Sequence, residues 1–165
     1  KKRSLMHLDT IFTKISNEEV LVYPPILEKN FNDGVNNIYL FEKKSNLPTK
    51  HNKNIINFLK EDDVKIKFIK CGSDKLIHQQ REQWTDGANS FALAPGKIIG
   101  YNCNTHTLKE LKNNGYEIIT SEKYIKNHKN YNESNRKFVV TIKGFELLRG
   151  RGGPRCLTLP LYRIN

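Results

Sequence analysis

Residues 90–120 read SFALAPGKIIGYNCNTHTLKELKNNGYEIIT, and they carry the clearest local signals in the 165-residue chain. Residues 90–94 have the composition of a β-strand, and Pro95-Gly96 are residues that favour a turn. Residues 97–101 return as a second strand. The segment therefore begins as strand, turn and strand.

A helix and a third strand are predicted to follow. Asn104 or Thr105 can cap the start of a short helix with leucines at helical spacing, and Gly115 suits its C-terminal end. Residues 116–120 are again apolar and strand-like. The order strand, strand, helix and strand predicts an α/β fold.

Apolar patterns on both sides of this unit predict further alternating strands and helices. Strands are expected at residues 5–13, 20–23, 37–41, 64–71 and 138–142, and a helix at residues 51–59. Ser73 is expected to cap another helix that runs to about Trp84. Residues 121–137 are rich in Lys and Asn and almost free of aliphatic side chains, which predicts an exposed insertion, most simply a solvated loop.

Length and composition predict one soluble domain with its own core. The net charge is +11, but 21 of the 28 basic residues are lysines scattered along the chain among 19 asparagines. Four of the seven arginines, by contrast, fall between Arg149 and Arg163. This distribution does not favour a nucleic-acid partner. No apolar run has membrane-spanning length and the first residues do not form a secretory signal, so no membrane partner and a cytoplasmic location are expected.

Three cysteines, Cys71, Cys103 and Cys156, show neither a CxxC pair nor metal-ligand spacing with the five histidines. Their odd number argues against a disulfide framework and favours a reducing compartment. No metal site is predicted from them.

Cys156 ends a segment rich in glycine and arginine, ELLRGRGGPRC, at residues 146–156. Glycines give the backbone unusual freedom and allow a ligand to approach closely. Arginines near a thiol favour the thiolate, which is the nucleophilic form. Cys156 is thus a candidate nucleophile, although a basic surface loop with an incidental cysteine explains this segment about as well.

His7 and Asp9 form a second candidate pair within HLDT, at residues 7–10. In a strand, side chains two residues apart point to the same face, so the imidazole and the carboxylate are expected to project together. The carboxylate can orient the imidazole or bind a cationic group of a substrate. A polar strand face turned to solvent is the alternative.

A third group of polar residues reads REQWTDGANS, at residues 81–90. It lies between a predicted helix and a predicted strand, where loops often present ligand-binding groups. Trp84 is expected in the core, and Asp86-Gly87 is compatible with an ordinary turn.

Together, HLDT, EQW-x-DG-x-N and ELLRGRGGPRC-x-x-x-PL-x-R resemble the arginine deiminases of the guanidine-modifying superfamily. The three motifs occur in that family's order, and the resemblance extends over residues 4–163. It implies a five-fold pseudosymmetric α/β propeller, the pentein fold, built of ββαβ modules.

The same resemblance implies a role for each of five residues. Cys156 would be the nucleophile, and His7 the general acid and base. Asp9 would bind the substrate guanidinium, and Asn89 would contact the amino-acid end of the substrate. Arg151 would belong to a mobile loop that closes over the site.

The implied reaction is hydrolysis of L-arginine to L-citrulline and ammonia through an S-alkylthiouronium intermediate on the cysteine, without a metal or an organic cofactor. The alternatives are another guanidine hydrolase or amidinotransferase of the superfamily, and an inactive relative that keeps the fold.

Arginine deiminases are more than twice as long as this chain. The chain is therefore expected to be the C-terminal part of an enzyme, about two or three of the five modules, with little activity alone. The missing part would supply a further aspartate, a glutamate and arginines that hold the substrate. The expected partners are L-arginine, the remainder of the enzyme's own chain and a possible second copy.

Overall fold

The computed structural model describes residues 7–27, 38–41, 47–51, 55–61, 65–159 and 161–162. Over these residues the strands and helices alternate in a mixed α/β arrangement, in agreement with the α/β prediction. Two main sheets and a separate two-stranded hairpin organise the strands.

The first sheet is built on an apolar central strand. β1 (Phe12–Lys14) pairs antiparallel with β2 (Glu19–Val22), and β2 pairs parallel with β5 (Lys67–Lys70). Between β2 and β5 the chain forms α1 (Pro24–Leu27), the hairpin of β3 (Ile38–Leu40) and β4 (Thr49–His51), and α2 (Ile55–Glu61). All four residues of β2 are buried, as expected of a strand covered on both faces.

The second sheet has four strands and contains residues 90–120, the segment with the clearest local signals in the sequence. Its strands are β6 (Phe91–Ala94), β7 (Lys97–Tyr101), β8 (Glu117–Thr120) and β9 (Phe138–Ile142). β6 and β7 are antiparallel, whereas β9 lies parallel between β7 and β8. The helices of this half are α3 (Leu76–Trp84), α4 (Thr105–Asn113), α5 (Ser121–Lys126), α6 (His128–Glu133) and α7 (Phe145–Arg149).

The predicted strand–strand–helix–strand order of residues 90–120 is confirmed by β6, β7, α4 and β8. Asn104 occupies the N-cap position of α4, and Gly115 follows the C-cap with a φ of +86°. The pairing differs from a simple ββαβ unit, because the later strand β9 separates β7 from β8.

Both sheets repeat one topology that is not visible in the sequence. Each begins with an antiparallel strand pair, and the second strand of the pair then receives a parallel strand after a helical connection. Such a crossover is the usual way to join parallel strands. Two repeats of this kind do not by themselves form a closed propeller over the described residues.

The main core lies between the two sheets. Ile15, Leu21, Ile69 and Cys71 from the first half pack with Ala88, Ile98, Leu111, Tyr116 and Val139 from the second half. A polar link crosses the same boundary, since Lys137 Nζ and Tyr116 Oη donate to the two oxygens of Glu19 at 2.8 and 2.7 Å. The two halves therefore bury a shared interior.

The strand prediction for residues 5–13 is wrong for residues 7–11 and confirmed for residues 12 and 13. Leu8–Thr10 form a 3-10 helix, and β1 begins only at Phe12. The Thr10 side chain and backbone N–H both donate to the carbonyl of His7, at 2.7 and 3.2 Å, and hold this turn closed. Residues 5 and 6 lie outside the described residues.

The cap predicted at Ser73 is also wrong. α3 has Lys75 at its N-cap position, and the Ser73 hydroxyl donates instead to Glu110 at 3.4 Å. Ser73 has a φ of +62°, a conformation that does not lead directly into a helix.

Residues 121–137 contain helices where a loop was the simplest expectation. Thr120 caps α5 by accepting the backbone N–H of Lys123 at 3.3 Å. Tyr131 on α6 is buried and packs edge-on against Phe138, with 5.3 Å between ring centroids. Tyrosines supply the apolar face that the missing aliphatic residues do not, so the segment folds against the sheet. Its status as an insertion stays a prediction.

Among the described residues, no helix combines the length and the apolar character needed to cross a membrane.

Candidate active site

Cys156 lies where the three motifs meet. Its Sγ atom is 3.2 Å from Nδ2 of Asn89, and 3.8 and 4.0 Å from the two carboxylate oxygens of Asp9. Asp9 and Cys156 are 147 residues apart in the sequence. The packing of the two sheets thus brings the HLDT turn, the turn before β6 and the arginine-rich segment together at one point.

Asp9 reaches this point from the 3-10 helix Leu8–Thr10. Its backbone carbonyl accepts the hydroxyl of Thr13 at 2.9 Å, which joins the turn to β1. His7 is exposed at the N-cap of the same helix, and a positive charge on its imidazole would lower the pKa of Asp86. The pair therefore projects from a turn instead of from one face of a strand.

The segment from 150 to 156 is fastened to the second sheet. Tyr101, at the end of β7, donates its hydroxyl to the carbonyl of Gly152 at 2.6 Å. The Tyr101 ring in turn lies against Gly144, where a Cβ atom would stand 2.0 Å from a ring carbon. Glycine is required there because any side chain would displace the tyrosine.

Asn89 is fully buried and faces the same segment. Its Oδ1 atom accepts the backbone N–H groups of Arg155 and Cys156 at 2.9 and 3.4 Å. The substrate contact predicted for Asn89 stays a prediction, and the observed hydrogen bonds of its amide are with Arg155 and Cys156.

Arg151 packs into the turn that follows α3. Its guanidinium lies 5.2 Å from the centroid of the Trp84 ring, and Nη1 donates to the Trp84 carbonyl at 2.9 Å. Its Nη2 is 3.4 Å from Oδ1 of Asp86. The expectation that Trp84 lies in the core is wrong, because the residue is 55% exposed and provides a surface for this guanidinium. The role of Arg151 in a mobile loop stays a prediction.

Arg155 places a second guanidinium beside Asp9, with 3.8 Å between Nε and Oδ2. Both residues also line a cavity of about 500 Å³, together with Lys14, Ser16 and Thr158. A cavity of this size is sufficient for a small polar molecule.

A sequence model described as arginine deiminase matches residues 1–163. The chain belongs to the arginine deiminase family.

Proteins named arginine deiminase are similar over nearly the whole chain. The identity is 37% over 169 residues with the protein of Listeria monocytogenes, covering 99% of this chain and 35% of the relative. It is 34% over 164 residues with that of Mycoplasma capricolum, covering 99% of this chain and 34% of the relative. For the protein of Bacillus thuringiensis it is 33% over 168 residues, with 99% and 35% covered. The chain therefore spans about a third of the length of these relatives.

Burial and a neighbouring negative charge favour the neutral form of the Cys156 thiol. Burial, followed by the negative charge of Asp9, raises its pKa above the usual value of 9.0, and the hydrogen bond from Asn89 acts in the opposite direction. The expectation that neighbouring arginines favour the thiolate is wrong for this arrangement. The guanidinium groups of Arg151 and Arg155 are directed at Asp86 and Asp9, so their positive charge is shared with carboxylates.

Three residues at the site were missed from the sequence. Asp86 is buried, and burial raises its pKa while Arg151 lowers it. Arg155 and Tyr101 contact Asp9 and Gly152 respectively. Arg155 had a signal in its position immediately before the cysteine, whereas the contact of Tyr101 spans 51 residues and had none.

Glu82 of the EQW motif has a structural role near the end of α3, just before the turn that carries Asp86. Its carboxylate accepts the backbone N–H groups of His106 and Thr107 at 2.8 and 2.7 Å, and the Thr107 hydroxyl at 2.6 Å. These groups belong to the first turn of α4, where unpaired N–H donors attract negative charge. Glu82 thereby fixes α4 to the turn that carries Asn89.

The described residues contain no cluster of three or more histidine, cysteine or acidic side chains that could hold a metal ion.

Proposed function

We propose that this chain supplies the nucleophile and the general acid and base of an enzyme that hydrolyses L-arginine to L-citrulline and ammonia. The observation that carries the proposal is the approach of the Cys156 sulfur to within 3.8 Å of the Asp9 carboxylate. A nucleophile beside an anionic group suits attack on a cationic carbon centre, and the guanidinium of arginine is such a centre. Membership of the arginine deiminase family supports the same reaction.

Asp9 is proposed to bind the substrate guanidinium. A carboxylate matches the planar fork of guanidinium donors. The nearby guanidinium of Arg155 supports this role, because it demonstrates that such a group fits against Oδ2. A substrate cation at this position would offset the charge of Asp9, and it would thereby favour ionisation of the Cys156 thiol.

When the substrate cation binds, the Cys156 thiol releases its proton to solvent. The first chemical step is attack by the resulting thiolate on the guanidinium carbon. A C–S bond forms, one C–N bond breaks, and His7 gives a proton to the departing nitrogen, which leaves as ammonia. The remaining carbon is bound to the enzyme as an S-alkylthiouronium. Asn89 and Asp9 flank the sulfur during this step.

The second step releases the product. His7, now unprotonated, takes a proton from a water molecule whose oxygen attacks the same carbon. The C–S bond breaks and the sulfur leaves as thiolate, and the added oxygen loses its remaining proton to solvent, which leaves the urea group of citrulline. One arginine and one water are consumed for each citrulline and ammonia, and no electron is gained or lost.

The two similar sheets are proposed to be modules of the pentein propeller. Their shared topology supports this assignment, and so does the match to about a third of the length of the relatives. We propose that further modules supply an aspartate, a glutamate and arginines that hold the substrate, while Asn89 contacts its amino-acid end. A second copy of the chain is a further proposed partner. The three free cysteines agree with a cytoplasmic enzyme.

The test is citrulline formation from L-arginine by the product of the whole gene, compared with Cys156→Ala and Cys156→Ser. We expect Cys156→Ala to abolish turnover and Cys156→Ser nearly to do so. Substantial activity in either variant would exclude covalent catalysis by Cys156. A clear preference for methylated arginines would assign the protein to a different reaction of the superfamily.

The 165-residue chain is assayed beside the whole product. We expect little or no citrulline from the chain alone, and robust activity of a monomeric preparation would contradict the division of the site between modules.

A further inference from the structure

We propose that Asn89 positions the Cys156 nucleophile, holding its backbone through one end of the side-chain amide and its sulfur through the other. This inference rests on the proposed role of Cys156 and adds a residue that acts on the nucleophile directly. It differs from the substrate contact that the family resemblance implies for Asn89.

The orientation of the amide follows from its hydrogen bonds. Two backbone N–H groups, those of Arg155 and Cys156, point at the same terminal atom of Asn89. An amide nitrogen cannot accept hydrogen bonds, so that atom is the oxygen. The NH₂ group is therefore the end that lies 3.2 Å from the cysteine sulfur.

The backbone of the arginine-rich segment is shaped to admit this amide. At Gly153, a Cβ atom would stand 2.2 Å from Oδ1 of Asn89 and 2.4 Å from its Cγ. Both residues are buried. The segment can approach Asn89 this closely only with glycine at 153, which ties one glycine of the motif to the position of the nucleophile.

The N–H donor also discriminates between the two states of the sulfur. A hydrogen bond to a charged acceptor is stronger than one to a neutral acceptor, so Nδ2 stabilises the thiolate more than the thiol. The charged and titratable groups that act on Cys156 from other elements are Asp9, Asp86 and Tyr101, and its chain neighbour Arg155 is paired with Asp9. Two neutral groups act in the opposite direction to burial and lower the pKa of Cys156, the side-chain amide of Asn89 and the backbone of Gly153, and the amide of Asn89 is 3.2 Å from the sulfur.

The test measures alkylation of Cys156 by iodoacetamide as a function of pH, with the modified residue identified by mass spectrometry. Asn89→Asp keeps the acceptor oxygen but replaces the donor with a second oxygen. We expect the alkylation rate at pH 8 to fall about ten-fold or more and the pH midpoint to rise. The matched control is Asn135→Asp, the same substitution at an exposed position, which leaves both quantities unchanged. A folded Asn89→Asp protein with the parental rate and midpoint would overturn the proposal.

A second measurement needs no substitution. The side-chain NH₂ resonances of Asn89 in the ¹⁵N spectrum of the parent protein are expected to move with pH, with the same midpoint as alkylation of Cys156. Resonances that remain constant through this midpoint would also overturn the proposal. Neither readout requires turnover. A failure of the positioning role of Asn89 can therefore be distinguished from a failure of the proposed arginine-hydrolysing function.

Gly153→Ala tests the fit between the two residues. In the parent, the added methyl group clashes with Asn89, and we expect slower alkylation of Cys156. In an Asn89→Gly background all three clashing atoms of residue 89 are absent, so the same substitution should have little further effect. Equal effects of Gly153→Ala in both backgrounds would contradict the fit.

Discussion

Two buried carboxylates, Glu82 near the end of α3 and Asp86 in the turn that follows, lie four residues apart and are held in opposite ways. Glu82 accepts three hydrogen bonds from the start of α4. Neither oxygen of Asp86 accepts a hydrogen bond within the described part of the chain, and its ion pair with Arg151 is 3.4 Å long. The Glu82 carboxylate is thus fixed by hydrogen bonds, whereas the Asp86 carboxylate is held mainly by electrostatic attraction.

Within the EQW-x-DG-x-N motif, Glu82 therefore serves the stability of the fold, whereas Asp86 serves the chemistry of the site. A buried charge that is fully hydrogen-bonded stabilises the fold, and one that lacks hydrogen bonds carries a cost that the rest of the structure must offset. Such unsatisfied groups are concentrated at functional sites. Asp86 fits this pattern because its charge acts on Cys156 and Tyr101, and because it is itself influenced by Asp9 and His7.

The largest expected effect on stability is that of Glu82→Gln. The substitution keeps the shape but removes the charge and sets an NH₂ group against N–H donors. We expect the free energy of unfolding to fall by about 3 kcal/mol in urea denaturation. Glu146→Gln is the control, since its ion pair with Arg149 is exposed, and should change stability by less than about 0.5 kcal/mol. Equal effects of the two substitutions would show that Glu82 does not anchor α4.

Glu19, which joins the two sheets, extends the comparison to a third buried carboxylate. Burial favours its neutral form, but the hydrogen bonds from Lys137 and Tyr116 prevail and lower its pKa below the ordinary 4.5. Its contribution to stability is therefore complete above that value and is lost as the pH falls through the lower, folded-state pKa.

We expect Glu19→Gln to cost about 2 kcal/mol at neutral pH, because Lys137 loses its partner. The variant should also lose less stability than the parent on acidification. Unfolding curves at neutral pH and at about pH 3 to 4 measure both effects. A parallel loss of stability in parent and variant would show that Glu19 does not contribute to the acid sensitivity.

In the 3-10 helix Leu8–Thr10, Asp9→Asn is expected to separate thiol reactivity from turnover. Removing the negative charge beside the sulfur lowers the pKa of Cys156, so alkylation at neutral pH becomes faster. Arginine turnover should nevertheless fall by about two orders of magnitude or more, because the guanidinium loses its carboxylate. Alkylation and citrulline assays on one preparation check the prediction, which fails if both rates move in the same direction.

Asp86→Asn is expected to have the smallest effect. It also lowers the pKa of the Cys156 thiol, but less than Asp9→Asn does, since Asp86 is the weaker of the two charge effects. Unfolding stability should change by no more than about 1 kcal/mol, because relief from burying the charge opposes the loss of the Arg151 ion pair. Asp74→Asn, at an exposed surface pair with Lys70, is the matched control for the alkylation midpoint. A stability loss as large as that of Glu82→Gln would remove the distinction between the two carboxylates.

Much of the fold was predictable because its signals are local. Turn residues at Pro95-Gly96, the N-cap at Asn104 and the C-terminal Gly115 each act within a few residues, and the structure has them where they were expected. The strand expected around His7 and Asp9 failed because the hydrogen bonds of Thr10 close a 3-10 turn, a competition that apolar alternation does not reveal. The helices of residues 121–137 depend on Tyr131 packing against a strand that comes later in the chain.

For the candidate site, too, the residue types were predictable from the sequence and the long-range contacts were not. The three motifs and the family were readable from residue types and their order, because chemistry requires particular side chains wherever the fold places them. The neighbours of each side chain could not be predicted from the sequence. Examples are the contact of Asn89 with a sulfur 67 residues away and the exposure of Trp84, whose ring lies against Arg151. Contacts of this range are set by how two sheets pack around one core, and the raised pKa of Cys156 follows from that packing as well, because burial is its main cause.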